Sequence, residues 1–193
     1  MLSDKVQERL KLVLSDEYYG YSTAVVGYSE TKSLQYNYIG MSEFRDALTH
    51  VKRAIYTQKE DEAISELDSA SEHIRRAAVE SMQQYVETRY YEIRERIHDP
   101  LPFIYIIFLK RKFNLSEIRE RESRIKDYIN SGRALKPNKE WKEAISYFKR
   151  AEEELDILDK ELPLNKQLNY SKVEFFLMVF YICLGVVLSR VFL

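Results

Sequence analysis

Apolar residues recur every three or four positions along most of this chain, the mark of helices that each bury one side. Residues 3–14 place Val6, Leu10, Val13 and Leu14 on one face behind Ser3, a residue type that caps helix N-termini. From Tyr18 to Gly40 the period is lost among tyrosines, and glycines at 20, 27 and 40 mark breaks, so an irregular stretch is expected. Tyr18, Tyr19, Tyr21, Tyr28, Tyr36 and Tyr38 either pack half-buried over a bundle or offer faces for stacking on bases. Ser42 then caps a helix whose core stripe reads Phe44, Ala47, Leu48, Val51, Ala54 and Ile55. After a short polar break at Gln58–Asp61 the period resumes toward Ile97, through Ala63, Ile64, Leu67, Ala70, Ile74, Ala77, Ala78, Met82, Tyr85 and Val86. A break this short predicts an antiparallel hairpin.

His98-Asp99-Pro100 stops the long helix, because proline has no amide donor and restricts the residue before it. Residues 101–109, LPFIYIIFL, precede Lys110, Arg111 and Lys112. Nine apolar residues are too few to cross a bilayer as a helix, which leaves two readings: a buried bundle segment, or a strip in the membrane interface. A charge-rich helix follows from Leu115 to Gly132, with Ile118, Ile125, Tyr128 and Ile129 as its thin stripe. The chain turns at Lys136-Pro137-Asn138. The next helix has a clean face of Trp141, Ala144, Ile145, Phe148, Ala151, Leu155 and Leu158. NKEWKEAISYFKRAEEEL resembles half of a tetratricopeptide repeat, but without a second copy at the required period no solenoid is expected.

The C-terminus changes character. Residues 175–189 carry no charge, and a helix from Phe175 to Leu193 would be roughly 28 Å long, about the thickness of a bilayer's hydrocarbon core. The expected architecture is therefore all-α: an antiparallel helical bundle over residues 1–165, a linker over 166–172, and one transmembrane tail over 173–193. Lys166 and Lys172 on the near side of the tail place the bundle in the cytoplasm, with the lipid bilayer as a partner.

Composition narrows the chemistry. A net charge of −1 over 193 residues gives no global pull toward nucleic acid. The single cysteine, Cys183, lies in the apolar tail, so neither a disulfide framework nor a thiol-based metal cluster is expected. There is no HExxH, no phosphate-cradling glycine loop and no G-x-S-x-G, and no cofactor or metal is expected. Of the three histidines, His98 ends a helix beside Asp99, and His73 is expected to make surface or inter-helix hydrogen bonds.

The third, His50, closes Arg45-Asp46-Ala47-Leu48-Thr49-His50, an R-x4-H spacing with aspartate after the arginine. This resembles the motif of HEPN domains, and EFRDALTHVKRAI with AISELDSASEHIRRAAVESM is similar to their helical hairpins. The resemblance covers about residues 1–160, and its specific part is six residues long. It implies a small all-α homo-oligomer and a metal-independent endoribonuclease with Arg45, Asp46 and His50 as catalytic residues. Such chemistry uses an imidazole to move a proton near neutral pH and a guanidinium to meet charge developing on phosphorus. At 100° per residue Arg45 and His50 stand about 140° apart, on a sector opposite the expected core stripe. Arg45 has a second reading, pairing with Glu43 or Asp46 on a solvated face. Two functions are thus expected. One is a membrane-anchored HEPN-like effector or accessory protein of prokaryotic immunity that cleaves RNA or disrupts membranes. The other is a non-catalytic, tail-anchored adaptor that recruits a partner protein.

Overall fold

The structure, a computed structural model, describes residues 2–98, 115–162, 173 and 175–183. Its main helices are α1 (Asp4–Val13), α2 (Tyr21–Ser33), α3 (Tyr38–Tyr56), α4 (Glu60–His98), α5 (Leu115–Leu135) and α6 (Trp141–Glu161). No strand occurs among the described residues. The all-α bundle is therefore the fold.

Its spine is α4, whose 39 residues extend about 58 Å and touch each of the other five helices. Two apolar clusters are strung along it. The first joins Ala63, Leu67, Ala70 and Ile74 of α4 to Val6 and Val13 of α1 and to Ala47 and Ala54 of α3. The second joins Ala78, Met82, Val86 and Ile93 of α4 to Ile125 and Ile129 of α5 and to Ile145, Phe148, Leu155 and Leu158 of α6. The expected stripes of α4, α5 and α6 thus lie where their period places them.

Three expectations give way. Residues 18–40 are not irregular: a turn with i→i+5 hydrogen bonding at Asp16–Gly20 leads directly into α2. The buried positions of α2 are Ser22, Val25, Val26 and Ser29, so two of its four inward residues are serines and the apolar period is hidden. Ser29 satisfies its hydroxyl on the Val26 carbonyl at 2.8 Å. Second, α3 begins at Tyr38 instead of after Ser42. Its N-cap is Asn37, whose Oδ1 accepts from the Gly40 amide at 2.8 Å. Third, the expected membrane-spanning tail is not found. Among the described residues no helix is long and apolar enough to cross a membrane. Residues 99–114, the linker 166–172 and residues 184–193 lie outside the described residues.

Candidate functional site

The hairpin of α3 and α4 is organised by small residues. Gly40, Ala47 and Ala54, seven apart, are the buried residues of α3. At Gly40 the approach is closest: a Cβ there would sit 2.5 Å from Ser81 Oγ and 3.2 Å from Val26 Cγ2. Small side chains let the two backbones come together, and that contact sets the roll of α3 about its own axis. The roll corrects the expected core stripe. Phe44 and Val51 pack against the cluster from its edge, while Leu48 and Ile55 turn outward.

The same roll separates the R-x4-H residues. His50 faces α4, where its Nδ1 lies 2.6 Å from Glu66 Oε2. Glu43 of α3 reaches His73 of α4 in the reciprocal sense, with Oε2 at 2.6 Å from Nδ1, and its Oε1 meets Arg76 at 3.1 Å. The two imidazoles stack between these bonds, with centroids 5.1 Å apart and planes 22° from parallel. Glutamate and histidine are seven residues apart on each helix, so antiparallel pairing sets each glutamate against the opposite histidine. This arrangement is a polar clamp between α3 and α4. Arg45 points to solvent instead, bonding Ser42 Oγ at 3.3 Å and Asp46 Oδ1 at 3.4 Å on its own helix. The partners of Arg45 and of His50 are thus on different sides of α3, and no described atom is shared between them. Glu43, Glu66 and His73 were absent from the expected site, although the repeated Glu-x6-His spacing was there to be read.

Outside the clamp, α3 carries a second stripe. Tyr38, Met41, Leu48, Ile55 and Tyr56 are 43% to 78% exposed. With Arg45 and Lys52 they fall within a sector of about 100° on the helix. The ring of Tyr36 meets that of Tyr38 edge-on at 4.9 Å and extends the apolar surface past the N-terminus of α3. Lys52 and Arg53 are exposed and form no ion pair among the described residues. The face therefore carries an apolar row of Met41, Leu48 and Ile55, with Lys52 and Arg45 between that row and Tyr38 and Tyr56.

A further polar group ties α2, α4 and α6. The buried Glu152 carboxylate accepts from Tyr28 at 2.6 Å and from Tyr85 at 3.0 Å, and Arg89 bridges Tyr85 to Asp156. Burial pushes the Tyr85 phenol up to about 12; the charge of Arg89 opposes this and that of Glu152 adds to it. Tyr28 is raised further, by burial and then by its bond to Glu152. Both phenols hold their protons more tightly in the folded chain than in the unfolded one, where a tyrosine titrates near 10. Their contribution to stability is complete below about pH 10 and is lost as pH rises through about 12. Urea unfolding at stepped alkaline pH should show this decline, and Tyr85→Phe should flatten it.

Among the described residues no group of three or more histidine, cysteine or acidic side chains is placed to hold a metal ion. No protein-family model, curated protein or solved structure matches the chain. The resemblance to HEPN domains with a membrane-spanning tail is accordingly withdrawn. No family match supports it, the described helices include no membrane span, and its six-residue signature is divided between a clamp and a solvated face.

Proposed function

We propose that this protein is a non-catalytic helical adaptor, and that the outer face of α3 receives an amphipathic helix with acidic flanks from a partner protein. The observation that carries this reading is the exposed stripe itself. Five large apolar residues share one sector of one helix, and three of them, Met41, Leu48 and Ile55, repeat at the heptad spacing with which a second helix interdigitates. Charge selects the partner. Lys52 and Arg45 run beside the row of Met41, Leu48 and Ile55, so a second copy of the face would bring like charges together, whereas glutamates on a partner would be attracted. In this reading Arg45 belongs to the docking face. His50 belongs to the clamp that fixes the roll of α3 and so presents the face.

The test uses the full chain and two helical peptides with leucine at heptad positions, one flanked by glutamate and one by lysine. The glutamate peptide is expected to bind and the lysine peptide to bind far more weakly. Leu48→Glu combined with Ile55→Glu should weaken binding about a hundredfold, the loss typical of central interface residues. Stability should change by about 0.5 kcal/mol or less per site, since both positions are solvated. Equal binding of the two peptides would remove the charge argument. A dimer in sedimentation that the double substitution dissolves would replace the partner helix with a second copy.

A further inference from the structure

Where the two apolar clusters meet, a half-open cavity of about 390 Å³ lies between the turn before α2, the middle of α4 and the start of α6. That volume is in the range of small-molecule sites. Tyr18 packs at the edge of the first cluster, and Tyr21 and Trp141 at the edge of the second, so three aromatic rings border one space.

Two positive features of its lining lack an anionic partner among the described residues. Trp141 lends the cavity its ring only, because its Nε1 is buried out of reach of a water-sized group and has no hydrogen-bond partner. The Arg75 guanidinium lies over the Tyr18 ring, 4.4 Å from its centroid, and forms no ion pair among the described residues. The first turn of α6 also borders the cavity, and its N-cap, Glu140, makes no side-chain capping bond, leaving the amides of a 21-residue helix open at that end. An unpaired guanidinium and an uncapped helix start both suit an anionic oxygen acceptor.

The remaining charges set how much negative charge is tolerated. Lys139 is committed to Glu72, and Lys142 to Glu17 at 3.5 Å. Glu140 and Glu143 stand at the border with negative charge of their own. Arg75 and the open end of α6 offer positive charge to one carboxylate, while Glu140 and Glu143 oppose it and disfavour a polyphosphate more strongly.

We propose that this cavity binds a small planar aromatic carboxylate, its ring among Tyr18, Tyr21 and Trp141 and its carboxylate toward Arg75 and the open amides at the start of α6. Binding would join the two clusters at their seam. The site is independent of the α3 face: its residues lie on the turn before α2, on the start of α2, on α4 and at the start of α6.

Trp141 is the only tryptophan of the chain, so its fluorescence reports the site directly. The experiment titrates the full chain with a panel of one- and two-ring aromatic carboxylates, such as 4-hydroxyphenylacetate and naphthoate. The neutral amides of the same rings, acetate and adenosine monophosphate serve as comparisons. At least one aromatic carboxylate is expected to shift the fluorescence and raise the melting temperature, with its amide and acetate at least tenfold weaker. Arg75→Gln should bring the carboxylate down to the level of its amide. Trp141→Phe, followed by calorimetry, should retain ring binding with reduced affinity. No change with any member of the panel would overturn the proposal, as would equal binding of acid and amide. Tighter binding of the nucleotide would overturn the single-charge assignment. None of these outcomes depends on whether a peptide binds α3.

Discussion

Replacing Phe148 with alanine is expected to lower the unfolding free energy by about 3–5 kcal/mol. The ring is fully buried and sits at the centre of the contact between α5 and α6. It rests on bare backbone: a Cβ on Gly132 would stand 2.9 Å from two of its ring atoms and 3.2 Å from the Ala144 carbonyl. Because glycine has no side chain with which to follow the lost ring, the void would remain open, and cost grows with residual cavity volume. Urea unfolding followed by circular dichroism measures the effect. A loss under about 1 kcal/mol would mean that α5 and α6 close over the gap, contrary to this account.

Glu152→Ala should be the second large loss, about 2–3 kcal/mol, for a different reason. The side chain is almost wholly buried, and its carboxylate accepts from both Tyr28 and Tyr85. Alanine leaves two phenol donors facing the place where their acceptor was, and the desolvation already suffered by those groups is no longer offset. Glu152→Gln keeps an acceptor oxygen and should lose less than half as much. If glutamine and alanine cost the same, the charge and not the hydrogen bonds would be responsible.

The sequence showed most of the fold where buried faces are built from large apolar residues. Leu67, Ile74 and Met82 on α4, and Ile145, Phe148 and Leu155 on α6, lie buried as their spacing requires. It misled where small residues do the packing. In α2 the inward serines at 22 and 29 concealed a helix among tyrosines. In α3 two stripes of period seven run one residue apart: Gly40, Ala47 and Ala54 beside Met41, Leu48 and Ile55. Hydrophobicity alone chooses the larger stripe as core, but close approach of the backbones chooses the smaller. Ala47 and Ala54 of the expected stripe are buried as expected, while Leu48 and Ile55 turn outward, and the same roll brings His50 to α4 and leaves Arg45 solvated. The clamp was more legible: Glu-x6-His on both arms of a predicted hairpin already implied two cross-helix pairs. The cavity was not, since it depends on rings from separate elements meeting beside an unpaired arginine.

The long α4 has a bearing on how unfolding would be observed. Its two clusters share one backbone but not one interior, and Trp141 belongs to the margin of only one of them. Fluorescence therefore watches the α5–α6 end, while circular dichroism averages over the whole length. Loosening of the α1–α3 end would dim the helical signal with little change in emission, so two spectroscopic probes of one chain need not trace the same curve.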